Sequence, residues 1–392
     1  MVIVCQAEKK MNLLIIGLDP TAATKGEAGD LAARLIEQSK FVDNIFQICR
    51  SPKKMQPVVL SHKVTSYPVS PPLRLLYPHY AFKQAVEIIK NNKIDVIYTQ
   101  DPFLCGLAGY RLRKKFKIPV IMGMHADFID NRYWLAEHPQ YWFLNILGKR
   151  LLKKADLIRS VSQEIKKKLV ASGIPNGGVV VVPTGGGVDV DFFSSGSGAA
   201  VRKRYSGRDL VLFVGRLVKQ KNLGLLMHAA SEAKRKYPKA IFLIAGDGPE
   251  KRRLEKQKES MGLSNVIFLG KVPFKELPDY YAASDVVVLP SNYEGLPKTV
   301  EEAMAAGKPV LSTRVSGSSE LVLDGETGYL VDTGDSGVFT KKLLKLLSDP
   351  SLRENMGTAG RELVRAHYDR KKNFKKMYSD LYSRGAQVKH QP

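Results

Sequence analysis

The feature that most restricts what this chain can become is an alternation. Short apolar runs, each closed by Gly, Pro or a polar residue, take turns with helical patterns over most of its length. In the first half, residues 13–17, 42–49, 58–64, 94–99, 119–124, 157–161 and 179–182 read as strands. Helical spacing occupies 28–38, 80–91, 104–116, 139–155 and the segment after Ser162. Runs that are apolar at every position suit strands covered on both faces, and strands separated by helices pair in parallel. The pattern stops at SSGSGAA, residues 194–200, which reads as a linker, and resumes at 210–215. The expected fold class is therefore α/β, with two doubly wound Rossmann-like domains facing across a cleft. The expected division is 1–193, a linker at 194–208, 209–368, and 369–392, a C-terminal helix returning to the first domain and then a tail. A chain of 392 residues exceeds one comfortable core, and domains run to about 100–200 residues.

In doubly wound sheets, ligands bind beyond the carboxyl ends of the strands. The stretch SNYEGLPKTVEEAMAAG, 291–307, follows the strand DVVVL and turns through Glu294-Gly295-Leu296-Pro297 into a helix that Gly307 closes. Strand, glycine turn and helix N-terminus make a place for a phosphate. Two carboxylates bracket it: Glu302, within the helix, suits a ribose diol, and Glu294, on the loop, can reach a sugar hydroxyl. A salt bridge from Lys298 to Glu302, one turn apart, is the plainer alternative. Arg216 and Lys221 sit at the mouth of another strand–helix junction, with Asn222 as a helix cap. A guanidinium fork and an ammonium at a helix start suit a diphosphate. His125 follows the strand VIMGM, and Asp127 lies close enough in sequence to orient its imidazole or to face a second substrate.

Composition narrows the classes further. No window reaches the ~18 apolar residues of a membrane span, and MVIVCQAEKK is too short for a signal peptide, with Met11 an alternative start. Three scattered cysteines argue against a disulfide framework or zinc site, and a cytoplasmic setting is expected. The net charge of +23 is shared by both halves. Such a surface attracts phosphates, anionic lipid or nucleic acid. No nucleic-acid reading motif accompanies it.

From FVGRLVKQKN through IAGDGPEKRRLE to EGLPKTVEEAMAAGKPVLSTRVSGSSELVLDGETGYLV, the chain resembles the retaining glycosyltransferases of the GT-B fold, specifically glycosyltransferase family 4. ADLIRSVSQEIKKKL and VVVPTGGGVDVDFF extend the resemblance into the first half. It implies a hexosyltransferase that moves a sugar from a UDP- or GDP-linked donor to a hydroxyl acceptor, a glycan or lipid-linked glycan. The first domain would take the acceptor and the second the donor. It also implies the roles: Arg216 and Lys221 on the diphosphate, Glu302 on the ribose, and Glu294 on the transferred sugar beside the backbone of Gly295, Leu296 and Pro297. Lys271 and Val272 would border the base, Gly26 would stand in a glycine loop near the phosphates, and His125 would sit beside the sugar's C6. The sequence has Gly26-Glu27 where many members carry two glycines. Asp189-x-Asp191 is read as capping, and neither a metal nor another cofactor is expected. A GT-B-fold nucleotide-sugar epimerase and a non-catalytic sugar-nucleotide-binding protein are the alternatives. Basic amphipathic stretches at 104–117 and 139–154, with Tyr133, Trp134, Tyr141 and Trp142 between them, suggest peripheral contact with an anionic membrane.

Overall fold

The structure, a computed structural model, describes residues 11–23, 31–376 and 381–387. Gly26, the glycine-loop candidate, lies outside them. Eight strands form the first sheet: β1 (Asn12–Ile16), β2 (Asn44–Arg50), β3 (Val58–Ser61), β4 (Val64–Val69), β5 (Val96–Thr99), β6 (Val120–Met124), β7 (Leu157–Ser160) and β8 (Val179–Val181). Their spatial order is β3-β4-β2-β1-β5-β6-β7-β8, parallel except for β3 against β4. Around them lie helices α1 (Leu31–Gln38), α2 (Tyr77–Asn91), α3 (Leu104–Phe116), α4 (Arg132–Glu137), α5 (Gln140–Leu152) and α6 (Gln163–Ala171).

The chain crosses over through α7 (Val190–Ser194) and α8 (Ala199–Arg204). The second sheet comprises β9 (Asp209–Val214), β10 (Ala240–Ala245), β11 (Val266–Gly270), β12 (Val286–Leu289), β13 (Val310–Thr313) and β14 (Gly328–Val331). It is wholly parallel, in the order β11-β10-β9-β12-β13-β14. Helices α9 (Leu223–Lys236), α10 (Lys251–Ser260), α11 (Leu277–Ala283), α12 (Lys298–Ala305), α13 (Ser318–Leu321), α14 (Ser336–Ser348) and α15 (Pro350–His367) cover it. Then α16 (Arg370–Lys376) and α17 (Ser383–Gln387) follow, the latter against the first sheet, where a side chain at Gly385 would press on Ile121 and Val96. In each sheet the chain order reverses beside the first strand of that sheet, which puts a crevice there.

The central strands are apolar at every position because both of their faces are covered. All four residues of β12 are fully buried, with α12 and α14 packed against the strand. Two local readings differ from the structure. The run 58–64 is the start of a hairpin, because His62 and Lys63 turn the chain before β4. Helix α4 precedes α5, started by Asn131, whose side-chain Oδ1 accepts from the amides of Tyr133 and Trp134. The stretch 194–200 is ordered. Asp279 accepts from the amides of Ser197 and Gly198, and α8 begins at Ala199. Asp189 caps α7 through the amide of Phe192 at 3.0 Å. Of the described helices, none is long and apolar enough to cross a membrane.

Candidate functional site

Strand ends from the two sheets meet across the crevice. On the first side β6 delivers His125, and the neighbouring strands β5 and β7 deliver Tyr98 and Arg159. Arg159 is an arginine inside an apolar strand, 2% exposed. It donates to the carbonyls of Val182, at 3.2 Å, and Pro183, and to the Tyr98 hydroxyl at 2.9 Å. That hydroxyl lies 2.9 Å from His125 Nε2. A guanidinium can only donate, so the Tyr98 oxygen accepts from Arg159 and its own proton is free for the imidazole. That arrangement favours the tautomer in which Nε2 accepts and the ring proton sits on Nδ1. Burial, with the positive charges of Arg159 and Arg34 nearby, pushes the His125 pKa down to about 3 and keeps the ring neutral. Gly123 leaves the room this requires: a Cβ there would stand 2.6 Å from the Tyr98 hydroxyl and 3.1 Å from Nε2. Asp127 does not orient the imidazole. Its carboxylate accepts from Lys168 at 2.7 Å, Asn131 at 3.2 Å and Ser316 at 3.3 Å.

On the second side Arg216, just past β9, is exposed and has no side-chain partner among the described residues. Lys221 is engaged: its ammonium is 2.5 Å from Glu294 Oε1, and the two side chains are 15% and 8% exposed. Gln220 holds the same loop through the Tyr293 carbonyl at 2.8 Å. Glu294 is thus a nearly buried carboxylate fixed by a nearly buried cation, a pair that neither member can leave cheaply. Asn222 does not cap α9 with its side chain. It adopts the left-handed conformation, at φ 45°. Lys271, after β11, is exposed, and Val272 is half-buried.

Residues 291–307 bring the two sides into contact. Gly295 lies directly against the His125 backbone, and the Asp127 amide donates to the Glu294 carbonyl at 3.1 Å. Leu296 and Pro297 are buried behind it, and Pro297 is the residue that immediately precedes α12. Glu302 is 8% exposed and accepts from the Tyr281 hydroxyl at 2.7 Å. The salt bridge from Lys298 goes to Glu301 instead, at 3.1 Å. Glu301 is fully buried. Burial raises its pKa to about 7, against the opposing pull of Lys298.

Beside this junction a cavity of about 530 Å³ opens between the domains, lined among others by Asp127, Asn131, Tyr133, Lys168, Arg314 and Ser316. Polar contacts close its walls across the crevice. Tyr133 reaches Thr333 at 3.1 Å, Tyr293 reaches Glu137 at 2.9 Å, and the Glu164 amide donates to Glu320 at 2.7 Å. Tyr98, Arg159, Tyr281 and Tyr293 were not singled out from the sequence. Only Arg159 carried a signal, a cation in the apolar run DLIRSV. Among the described residues, no three potential metal ligands come together.

The sequence model described as Glycosyl transferases group 1 matches residues 199–363, and that described as Glycosyltransferase Family 4 matches 29–192. A GDP-mannose-dependent alpha-(1-6)-phosphatidylinositol monomannoside mannosyltransferase of Mycolicibacterium smegmatis is 33% identical over 54% of this chain and 58% of its own length. A sulfoquinovosyl transferase of Arabidopsis thaliana is 32% identical over 74% of this chain and 57% of its own. These matches thus span little more than half the length of either relative. Among solved structures, a sucrose-phosphate synthase of Thermosynechococcus elongatus superposes with a TM-score of 0.81 at 22% identity, over 95% of this chain and 100% of that one. An Anabaena protein, HepE, solved with UDP and glucose, gives 0.78 at 19% identity, with the same coverage. At those identities the likeness establishes the two-domain fold.

Proposed function

The chain belongs to the group 1, family 4 glycosyltransferases, and from that premise we propose that it moves a sugar from a nucleotide-diphosphate donor to a hydroxyl acceptor with retention at the anomeric carbon. The observation that carries this reading is the junction where the Lys221–Glu294 pair lies one residue from the contact of Gly295 with His125. A fixed carboxylate, its paired cation, the backbone that carries His125 and the start of α12 meet there, which supports the reading.

In this reading Arg216, which has no side-chain partner among the described residues, grips the diphosphate. Lys221 adds charge from the other side while holding Glu294 aimed at the sugar hydroxyls. The start of α12 and the backbone at Gly295, Leu296 and Pro297 face the same phosphates. Glu302, braced by Tyr281, takes the ribose. Lys271 and Val272 border the base; Gly26, outside the described residues, is given to the phosphates by the family resemblance alone. His125, neutral with its proton on Nδ1, serves the sugar near C6 as a hydrogen-bond donor. The hard step is separating an oxocarbenium-like sugar from a diphosphate anion, and preorganised positive charge in a closed cleft lowers that barrier. The acceptor attacks from the face the diphosphate leaves, and the departing phosphate oxygen takes its proton. The proposal gives charge neutralisation to Arg216 and Lys221 and needs no metal.

The donor nucleotide is UDP or GDP. The mycobacterial relative is named for GDP-mannose and the Anabaena structure holds UDP. The acceptor is a glycan or lipid-linked glycan, met from a cytoplasmic position at a membrane face. Incubation with UDP- and GDP-sugars, with and without acceptor, tests the reading by nucleotide release. Arg216→Ala should abolish transfer and leave stability unchanged, and Glu294→Ala should abolish transfer in a protein that still folds but is less stable, because Lys221 loses its partner. Full activity in both would sink the assignment. An altered sugar with no nucleotide released would favour an epimerase.

A further inference from the structure

The four most exposed large hydrophobic side chains among the described residues are Phe143 (67%), Leu75 (65%), Leu73 (64%) and Trp142 (61%). They fall on two segments of the first domain: helix α5, and Leu73 with the turn Arg74–Leu76 that it leads into, ahead of α2. Ile146, half-exposed, extends the α5 part by one helical turn. The inner face of α5 is spent on the core. Gly148 packs on Phe103 and Ile129, and Asn145 donates to Asp130 at 2.8 Å. The outer face runs Trp142, Ile146, Arg150, Lys153 at helical spacing, apolar in its first half and cationic in its second.

The two segments border one helix, since the turn packs on α2, the helix it leads into. Helix α3 packs against both α2 and α5, and its exposed Arg111, Lys114 and Lys115 continue the basic border. The surface is therefore an apolar patch rimmed on one side by cations, on a protein of net charge +23. A protein partner would have to be strongly acidic around an apolar centre. A bilayer with anionic headgroups offers that chemistry everywhere on its surface.

We propose that this face of the first domain docks on an anionic lipid bilayer, with Trp142, Phe143, Leu73 and Leu75 entering the headgroup–acyl boundary and Arg150, Lys153 and their neighbours lying on the phosphates. The sequence pattern had set Tyr133, Trp134 and Tyr141 in the same surface. Trp134 is buried in a stack between Phe103 and Tyr141, and Tyr133 faces the interdomain cavity, so the membrane face shifts outward to Trp142 and Phe143. The first turn of α5 lies close to the crevice, since Glu137, just before it, bonds Tyr293 of the second domain. A docked molecule would therefore open its cleft near the bilayer surface. The inference concerns the surface alone and does not require the transfer reaction.

The chain has two tryptophans, and only Trp142 is exposed. In a Trp134→Phe background, its emission should shift to the blue on mixing with vesicles of phosphatidylglycerol and phosphatidylcholine, and stay unchanged with phosphatidylcholine alone. Co-sedimentation of the otherwise unaltered protein should weaken by roughly 30-fold in Arg150→Gln/Lys153→Gln at low salt, at about 1 kcal/mol per cation. Trp142→Ser/Phe143→Ser should lose binding at high salt as well. The proposal is overturned if Trp142 emission does not respond to anionic vesicles, if the Trp142/Phe143 variant sediments like the parent, or if the face is occupied by a second copy, seen as a lipid-independent dimer that this variant dissolves.

Discussion

Gly295→Ala is a substitution whose effect can be worked out before it is made. Gly295 is not among the glycines with positive φ, so alanine is admissible to the backbone. The new methyl would nonetheless stand 2.7 Å from the His125 carbonyl carbon and 2.9 Å from Ala126 Cα, with the carbonyl oxygen closer still. Ordinary contact between carbon atoms is about 3.5–4.0 Å, so the crevice must open by roughly 1 Å at this point. The nearby interdomain bonds are the 3.1 Å one from the Asp127 amide to the Glu294 carbonyl and the 3.3 Å one from Ser316 to Asp127. Stretched by that amount, they pass beyond hydrogen-bond range. Misplacing reacting groups by about 1 Å costs on the order of 100-fold in rate, so kcat/KM should fall by about two orders of magnitude. Neither domain core is touched, so the melting temperature should stay within a few degrees. Donor affinity by calorimetry should change little, because Arg216 and Glu302 do not move. Small-angle scattering with donor bound should show a larger radius of gyration than the parent. A variant with parental kcat/KM and parental scattering would refute the close-approach argument, and the scattering arm stands even if the substrates are misassigned.

Other outcomes are equally definite. Lys221→Met strands a nearly buried carboxylate and should cost about 3–5 kcal/mol in chemical denaturation; adding Glu294→Leu should recover much of this, and an unrecovered double variant would contradict the pairing. Tyr98→Phe removes the proton that makes His125 Nε2 an acceptor, so nitrogen NMR of the imidazole should report a changed tautomer and kcat should fall more than donor affinity; an unchanged nitrogen spectrum counts against the assigned proton. Glu301 has a folded pKa raised to about 7 from 4.5. The folded state therefore holds its proton more tightly, and stability is lost as pH rises from the unfolded value through the folded one. Glu301→Gln should accordingly stabilise the protein more at pH 8 than at pH 5, and an equal effect at both would remove the titration from the account. Chelation by EDTA should leave initial rates unchanged, whereas a rate restored only by added Mg²⁺ would return charge neutralisation to a metal.

The two sheets were legible because a doubly covered strand must be apolar at every position, and β12 shows that rule in full. The hairpin at β3–β4 was not, since one residue pair turns the chain inside what reads as a single run. Short α4 depends on a cap from Asn131, a signal that a helical-periodicity reading passes over. In the site, residues just past strand ends could be found from sequence because topology sends ligands there. Their partners could not. Whether Lys298 meets Glu301 or Glu302 depends on which face of α12 turns inward. Tyr281 reaches Glu302 only through tertiary packing, and Asp127 is drawn to Lys168 of another helix rather than to the nearby imidazole.

One contact bears on how the molecule is made. The Tyr382 ring stands edge-on to Tyr98, the residue that holds His125, and Gln38 donates to the Tyr382 hydroxyl at 2.5 Å across 344 positions of sequence. The wall behind the histidine is thus supplied by a segment that leaves the ribosome only after the entire second domain. The first domain emerges with part of its core uncovered and must wait, holding an apolar face that a chaperone or a neighbouring nascent chain can capture. Closing so long a loop is also slow. The site becomes competent in a late step of synthesis, when residues 381–387 dock.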